Sequence, residues 1–251
     1  MLKHTNNAIG VVILAAGDGK RMQSDLPKVM HELHGMPLIG YVVTAVEKSG
    51  IADKIVVVVS PKHTLVQDYL GERAEYIVQE QQRGTGHAVG VARDVLTDCD
   101  DVVVLYGDMP CISEGSLREL VLRHTSEENT MTMATTKVSD FLNENSVFSH
   151  FSRIIRDEFG LIIKDVQVKD ATEEELGVKE LNPSFYCFRA SWLWKHIVDL
   201  KNNNAQKEMY LTDLIGIAIA LGERVGSLSV NQNEAIGIST KEDIEKAQKC
   251  V

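Results

Sequence analysis

The 251-residue chain is predicted to adopt an α/β fold in which helices cover both faces of a mostly parallel sheet. The first observation is a continuous apolar run at 9–16 (IGVVILAA), which is typical of a parallel strand buried on both faces. The second is a regular alternation of strand-like and helix-like segments through the first half. The third is a composition of 44% hydrophobic and 25% charged residues, which indicates an ordinary globular protein.

The first half is predicted to contain strands and helices in strict alternation. The segment 54–60 (KIVVVVS) is rich in β-branched valine and therefore favours a strand, and Pro61 can begin the helix that follows. In such sheets ligands bind beyond the carboxyl ends of the strands. The predicted strands are 9–16, 54–60, 74–79 and 101–106, and the predicted helices are 38–49, 61–70 and 86–96.

The second half is predicted to be less regular. The segment 130–138 alternates like a half-exposed strand, 139–150 is a polar loop, and 154–168 forms a hairpin that turns at 157–160. No repeat or linker divides the chain, which favours a single domain with a smaller lobe. The remaining predicted elements are a strand at 181–188 and helices at 191–200, 211–222 and 241–248.

Charge and cysteine usage narrow the possible partners. The net charge of −10 disfavours nucleic acid, although a small anionic substrate needs only a few basic groups in a cleft. No stretch reaches the roughly 20 apolar residues of a membrane span. The cysteines lack the C-x-x-C spacing of a metal site, and free thiols are typical of a reducing compartment, so we predict a cytoplasmic protein. These cysteines are Cys99, Cys111, Cys187 and Cys250.

A glycine-containing loop follows the first strand and carries two basic residues. Gly17 and Gly19 allow the backbone to approach a ligand closely and to present N–H groups to phosphate oxygens. The spacing matches neither a P-loop nor the dinucleotide-binding fingerprint. Arg21 and Lys28 are expected to clamp a triphosphate and to offset charge that develops during phosphoryl transfer. Taken alone, a G-x-G loop favours a plain strand–turn–helix connection bearing two solvated cations.

Four motifs in order resemble those of the sugar-phosphate nucleotidyltransferases, and more specifically the uridyltransferase domain of bacterial N-acetylglucosamine-1-phosphate uridyltransferases. The similarity covers roughly residues 9 to 250. It implies a Rossmann-like fold of the nucleotide-diphospho-sugar transferase type with a smaller sugar-binding lobe. The motifs are L-A-A-G-x-G-x-R-M from Leu14 with Pro27-Lys28, Q-x-x-Q-x-G-T-G-H-A from Gln79, Y-G-D-M-P from Tyr106, and N-N-N-A-Q-x-E-x-Y-L-T-D from Asn202.

The resemblance divides a single domain over 1–251 into three parts. Residues 8–115 bind the nucleotide, 130–230 bind the sugar, and 231–251 hold a metal loop and a C-terminal helix. Arg21 and Lys28 match the residues that grip the triphosphate and stabilise transfer. The nucleotide-binding positions implied by the resemblance are Leu14, Ala15, Ala16, Gly17, Gln79, Gln82, Gly84 and Thr85.

The resemblance also implies a Mg²⁺ ion. Asp108 matches the family's metal-binding aspartate, and it follows a predicted strand where active sites of this architecture lie. Ser239 stands where the family has its second ligand, an asparagine. The nearby Asp98, Asp100 and Asp101 are interpreted as a solvated loop. His87 is expected to pack at the start of a helix.

The sugar side departs from the family at two positions. Ser152 replaces a glycine that touches the sugar, and a side chain there narrows the approach. Gln167 replaces a glutamate, which keeps hydrogen bonding but loses the stronger charge-assisted acceptor. The substrate-binding positions implied by the resemblance are Tyr106, Ser152, Gln167, Asn182, Tyr210 and Thr212.

The predicted reaction joins UTP and a sugar 1-phosphate, N-acetylglucosamine 1-phosphate or a related hexose phosphate, and releases pyrophosphate. No protein nucleophile is needed, since the sugar phosphate attacks the α-phosphorus in line. One alternative is a transferase that uses CTP or another acceptor; another is a nucleotide-binding protein that has lost turnover. The family's hexapeptide-repeat acetyltransferase region is not seen, so acetyl transfer is not expected, and the oligomeric state stays open.

Overall fold

A computed structural model of the chain describes residues 7–17, 19, 22, 24–204 and 206–248. The strands are β1 (Ile9–Leu14), β2 (Glu32–Leu33), β3 (Met36–Pro37), β4 (Lys54–Val59), β5 (Glu75–Val78), β6 (Asp101–Tyr106), β7 (Met131–Lys137), β8 (Arg153–Arg156), β9 (Ile162–Val166), β10 (Glu180–Leu181), β11 (Tyr186–Arg189) and β12 (Val225–Ser229). The α-helices are α1 (Leu38–Ser49), α2 (Leu65–Leu70), α3 (Thr85–Gly90), α4 (Glu114–Ser126), α5 (Glu173–Leu176), α6 (Ala190–His196), α7 (Asp213–Ala220) and α8 (Lys241–Ala247).

The main sheet runs in the order β5-β4-β1-β6-β11-β7-β10-β8-β9, and β12 pairs in parallel with β7. Strands β5, β4, β1 and β6 are all parallel, so their carboxyl ends meet at one edge. Strand β11 lies antiparallel between β6 and β7, and β8 and β9 form a hairpin at the far end. The predicted α/β class is therefore confirmed, and every antiparallel pair of the main sheet includes a strand of the second half.

The central strand β1 is buried along its whole length because helices cover both faces of the sheet. Val12 and Leu14 face a core that includes residues of α3, α6 and α7. Val11 and Ile13 face a second core to which α1 and α4 contribute. Successive side chains of a strand point to opposite faces of the sheet, so an entirely apolar β1 contributes side chains to both cores.

Two predictions in the second half are wrong. The first six residues of β7 are buried, whereas the sequence pattern predicted a half-exposed strand; α4 packs on it, and Thr136 donates to the carbonyl of Val230 at 3.1 Å. The single strand predicted at 181–188 is divided into β10 and β11. The break occurs because the Asn182 side chain accepts from the Ser184 N–H at 2.8 Å and Ser184 adopts a φ of +67°.

Several helix bounds also differ from the predictions. Helix α2 begins only at Leu65, and the helix predicted at 86–96 ends at Gly90, with a 3₁₀ turn at Arg93–Val95. The loop predicted at 139–150 contains 3₁₀ turns at Asn143–His150. Helix α4 and strand β12 were not predicted, although the Ser113 cap of α4 and its buried apolar residues at 117, 120 and 121 carry a helical signal.

Candidate active site

A cavity of about 400 Å³ lies at the carboxyl ends of β1 and β6, the edge of the sheet where this architecture binds ligands. All eight positions that the sequence implied for the nucleotide line it. So do Lys28, Tyr106, Asp108 and Ser239, which the sequence implied for catalysis, substrate and metal. The complete lining is Leu14, Ala15, Ala16, Gly17, Gly19, Lys28, Val29, Gln79, Gln82, Gly84, Thr85, Ala88, Tyr106, Asp108, Glu208 and Ser239.

The floor of this cavity is the end of β1 and the loop that follows. The Ala15 N–H donates to the Val58 carbonyl at 2.8 Å, which extends the sheet by one residue toward the cavity. Gly19 has a φ of +59°, and a Cβ there would lie 2.8 Å from the Cβ of Lys28. Glycine at this position therefore allows the loop to lie directly against Lys28. Arg21, predicted to grip the triphosphate, lies outside the described residues.

Gln79 is the buried polar residue of the cavity, with 3% of its surface exposed. Its Nε2 donates to the Gly84 carbonyl at 3.2 Å and faces His87 Nδ1 at 3.0 Å. Burial, and secondarily the charge of Arg83, lowers the pKa of His87, so the imidazole is neutral and its Nδ1 accepts. Both N–H groups of the amide are engaged in this way. His87 acts as a positioning partner of Gln79, a role that the sequence did not reveal.

The Gly84–Gly86 turn is held by the segment at 208–211. Gly84 has a φ of +108°, and a Cβ there would lie 2.6 Å from the Met209 carbonyl oxygen. The Met209 N–H donates to the Arg83 carbonyl at 2.7 Å, and the Gly86 N–H donates to the Met209 carbonyl at 2.8 Å. The adjacent Glu208 lines the cavity; it was part of the fourth motif but was not predicted as a site residue.

Three side chains come together just beyond the carboxyl end of β6, those of Lys28, Asp108 and Ser239. The Lys28 ammonium contacts Asp108 Oδ2 and lies 3.5 Å from Ser239 Oγ. The Ile238 N–H donates to the Asp108 carbonyl at 2.9 Å, which brings the C-terminal segment to the strand end. A carboxylate and a hydroxyl that already share one cation form an oxygen donor set suited to Mg²⁺, which takes few protein ligands. Among the described residues no group of three or more His, Cys, Asp or Glu side chains could hold a metal.

A smaller cavity of about 200 Å³ adjoins the first and shares Tyr106 and Asp108 with it. Burial raises the pKa of Tyr106 to about 12, against the lowering effect of a hydrogen bond with Thr85. Its phenol therefore stays protonated at neutral pH and can donate at the boundary of the two cavities. The lining of the smaller cavity is Tyr106, Asp108, Met109, His150, Phe151, Ser152, Gln167, Asn182, Pro183, Ser184, Ala235 and Gly237.

The positions that the sequence implied for the sugar are only partly brought together. Ser152, Gln167 and Asn182 line the smaller cavity beside Tyr106. Tyr210 and Thr212 line neither cavity; the Tyr210 hydroxyl bonds Gln206 Oε1 at 2.5 Å. Their sugar-binding role stays a prediction.

The structure corrects the interpretation of Asp101 as part of a solvated loop. It is not solvated but 4% exposed, at the opposite, amino end of β6. Its carboxylate accepts from Asn7 at 2.9 Å and faces His124 Nε2 at 3.2 Å. Burial opposes ionisation, yet the bonds with His124 and Asn7 outweigh it and lower the pKa of Asp101. Asp101 lies at the end of β6 opposite to Tyr106, and its bonds to Asn7 and His124 indicate a structural role.

Within the described part of the chain, no helix combines the length and the apolar character needed to cross a membrane.

Comparisons with known proteins bear on this site. A family model described as the MobA-like NTP transferase domain matches residues 11–208. The chain is 40% identical over 238 residues to the bifunctional protein GlmU of Thermoanaerobacter pseudethanolicus, with 95% of this chain and 50% of that protein covered. It is 34% identical over 245 residues to the bifunctional protein GlmU of Desulfotalea psychrophila, with 97% and 70% covered.

The chain spans about half the length of the Thermoanaerobacter protein and of other curated GlmU proteins that it matches. Among solved structures it resembles the crystal structure of UDP-glucose pyrophosphorylase complexed with UDP-glucose, with a TM-score of 0.75. That likeness covers 96% of this chain and 97% of the other, at 17% sequence identity. At so low an identity the likeness shows the fold alone.

Proposed function

The chain belongs to the MobA-like NTP transferase family, and from this premise we propose that it is a uridylyltransferase specific for a sugar 1-phosphate. The reaction joins UTP to the sugar 1-phosphate and releases pyrophosphate, with Mg²⁺ as the metal. The proposed sugar is N-acetylglucosamine 1-phosphate or a related hexose phosphate. Its relatives include bifunctional GlmU proteins, and its fold is that of a UDP-glucose pyrophosphorylase.

The observation that carries the proposal is the junction of the two cavities. The larger one is lined by backbone and by the amide of Gln79, as a nucleotide requires, and the smaller one by polar side chains that suit a sugar. They meet at Tyr106 and Asp108. A transferase must hold two substrates with their reacting atoms in contact, and this shared wall is where the two phosphates would meet.

The state of Gln79 supports uracil as the base. The Gly84 carbonyl can only accept, so the amide atom that faces it is nitrogen, and neutral His87 takes the second N–H. What the amide can still offer a ligand is Oε1, an acceptor. Uracil presents an N–H at its ring position 3, whereas cytosine presents an acceptor there, so an acceptor on the protein favours UTP over CTP.

The groups around Asp108 support phosphoryl transfer. Lys28 would bind phosphate oxygens, together with Arg21 as predicted from the sequence. Asp108 and Ser239 would hold Mg²⁺, which supplies neutralisation of the triphosphate charge when bound. Lys28, now paired with Asp108, would be released to the phosphates as the substrates bind.

The chemistry proposed is a single displacement. An oxygen of the sugar phosphate attacks the α-phosphorus of UTP, and the bond from that phosphorus to the bridging oxygen of pyrophosphate breaks. The negative charge of the attacking phosphate ends on the leaving pyrophosphate. The chain contributes orientation and fixed positive charge, and none of its side chains forms a covalent bond.

The test is pyrophosphate release in the presence of Mg²⁺, with UTP, CTP, ATP, GTP and dTTP each crossed against a panel of sugar 1-phosphates. Release with UTP and one hexosamine 1-phosphate is the expected result. Release with CTP in preference to UTP would overturn the base assignment made from Gln79. Binding of UTP without release from any pair would instead identify a nucleotide-binding protein that lacks turnover.

A further inference from the structure

Asp165 lies in β9 behind the smaller cavity, in a place where a carboxylate is unexpected. Its neighbours in the strand include Val166, which is buried, and it pairs across the hairpin with Ile154, also buried. The residue is partly exposed, but its Oδ1 atom is shielded from solvent and has no hydrogen-bond partner among the described residues. Shielding a carboxylate from water in this way destabilises the fold unless hydrogen bonds or an opposite charge compensate for the lost solvation.

The partners of Asp165 are two residues that line the smaller cavity. The amide of Asn182 donates to Asp165 Oδ2 at 2.8 Å, and the hydroxyl of Ser152 lies close enough to this carboxylate to lower its pKa. Asn182 is 2% exposed and Ser152 6% exposed, so neither can exchange Asp165 for water. The Asn182 N–H also donates to the Ser152 carbonyl at 3.3 Å, which joins the two residues through the backbone.

The remaining groups of Asn182 are also engaged. Its Oδ1 accepts from the Ser184 N–H at 2.8 Å, and its Nδ2 lies 3.0 Å from the hydroxyl of Tyr186. The amide thus has one orientation, in which the nitrogen faces Asp165 and the oxygen faces the backbone of Ser184. If Asp165 is replaced by an apolar residue, the amide loses one of the two contacts that select this orientation, and the Ser184 N–H alone remains.

Within the described part of the chain, none of the groups that interact with Asp165 is a cation. Ser152 and Asn182 are neutral, the phenol of Tyr186 is fully buried, and Asp213 at the start of α7 carries the same charge. Loss of solvent raises the pKa of Asp165 to about 6, with the hydrogen bonds of Ser152 and Asn182 lowering it and Asp213 raising it. The carboxylate is therefore held in place by hydrogen bonds from the cavity wall rather than by a salt bridge.

We propose that Asp165 is a positioning residue that determines the shape of the sugar subsite by orienting Asn182 and Ser152. This inference rests on the proposed function, since it assigns the smaller cavity to the sugar. Asn182 is bonded to Oδ2: a carboxylate gives this amide a charge-assisted acceptor, the oxygen of an asparagine gives it a neutral one, and an aliphatic side chain gives it none. Affinity for the sugar portion of a ligand should therefore decrease from Asp165 to Asp165→Asn to Asp165→Leu, while affinity for the nucleotide portion is unchanged.

The test is isothermal titration calorimetry of each protein with UDP and with UDP-N-acetylglucosamine. The Kd of UDP divided by the Kd of UDP-N-acetylglucosamine measures what the sugar adds to the affinity. Asp165→Leu should reduce this ratio about tenfold and Asp165→Asn about threefold, with the Kd of UDP within about twofold of the unmodified chain. Glu158→Gln, an exposed residue of the same hairpin, is the matched control and should leave both constants unchanged. Ser152→Ala, which keeps Asp165, should lower the ratio in the same direction.

An unchanged ratio in Asp165→Leu and Ser152→Ala, or an equal loss of affinity for both ligands, would overturn the proposal. If Asp165→Leu fails to fold, the Asn and Ser152 variants decide the question alone. Failure of the proposed function has a different signature, because the unmodified chain would then bind UDP-N-acetylglucosamine no better than UDP or would bind neither.

Discussion

The ammonium of Lys28 contacts the carboxylate of Asp108 and lies 3.5 Å from the hydroxyl of Ser239, so one cation bridges three separate segments of the chain. Lys28 begins a 3₁₀ turn, Asp108 follows β6, and Ser239 precedes α8. The side chains of Lys28 and Asp108 are 20% and 13% exposed. This contact places a positive group beside a metal-type oxygen donor at the boundary of the two cavities.

Lys28→Ala is expected to lower kcat of pyrophosphate release by about 10²–10³, the range for loss of one preorganised charge at a reacting centre. The fold should be retained, because Lys28 is partly exposed and its alkyl chain contributes little to either core. Circular dichroism and thermal unfolding check the fold. Lys48→Ala, an exposed lysine at the end of α1, is the matched control. Near-normal turnover of Lys28→Ala would remove this residue from the mechanism.

Asp108→Asn is expected to raise the Mg²⁺ concentration that gives half-maximal activity by about tenfold or more, since an amide is a weaker ligand for a hard cation. Chelation of divalent ions should abolish the activity of the unmodified chain. The measurement is a Mg²⁺ titration of pyrophosphate release at saturating UTP. Asp98→Asn, in an exposed loop, should titrate like the unmodified chain. Full activity in excess chelator would contradict the metal assignment.

Nucleotide affinity should weaken as the pH falls below the range in which His87 is neutral. Protonation of Nδ1 replaces the acceptor of Gln79 Nε2 with a donor, so the amide loses its orientation. Because the pKa of His87 is lowered, the loss is expected only below about pH 6.5, and by about threefold or more.

The Kd of a UDP-sugar is the appropriate measure, because its diphosphate does not change protonation in this range whereas the terminal phosphate of UTP does. His87→Asn should lack the part of the pH dependence that comes from His87 and keep any part that comes from the titration of Asp165. His34→Asn, an exposed histidine with a φ of +50°, should behave like the unmodified chain. An identical pH profile for His87→Asn and the unmodified chain would exclude this contact.

Gly84→Ala is expected to destabilise the fold by about 1–3 kcal/mol, because the residue has a positive φ and its Cβ would meet the Met209 carbonyl. Urea unfolding gives the free energy. Gly216→Ala is the matched control: it lies in α7 with open space around its Cβ, and should stabilise by about 0.5–1 kcal/mol. Equal effects of the two changes would refute the strain at Gly84.

Asp165→Asn is expected to stabilise the fold at pH 7.5 by about 1–3 kcal/mol while it weakens the sugar subsite. A carboxyl whose pKa is raised to about 6 in the fold favours folding in its protonated form, so its destabilising effect develops as the pH rises from about 4 to above 6. Thermal or urea unfolding at pH 5 and 7.5 measures the difference. A gain at pH 5 that equals the gain at pH 7.5 would contradict the pKa assignment.

The first half of the chain was accessible from sequence because its signals are local. Strand β6 was predicted at its observed bounds and β1 with its observed start, since an uninterrupted apolar run of that length has few other stable placements in a parallel sheet. Helix α1 was predicted at 38–49 as observed. Residues that immediately follow such strands, among them Gln79 and Asp108, come together at one edge of the sheet.

The second half was less accessible because its contacts join distant segments. The burial of β7 depends on α4 and β12, neither of which was predicted, so its alternating pattern suggested an exposed face that does not exist. The split between β10 and β11 depends on a turn at Asn182, which the Asn-Pro-Ser sequence signals but which the prediction of one strand at 181–188 did not use.

By itself, the sequence determined the α/β class, the family resemblance and most of the residues that line the larger cavity, because these depend on apolar periodicity and on short motifs at strand ends. The tertiary structure alone decided which groups contact one another: Lys28 with Asp108 and Ser239, His87 with Gln79, and Asp165 with Asn182. The residues of the first and third contacts are far apart along the chain. Whether such residues come into contact depends on how distant segments pack together. The rise in the pKa of Asp165 likewise depends on how that packing buries the carboxyl group, which no local sequence pattern encodes.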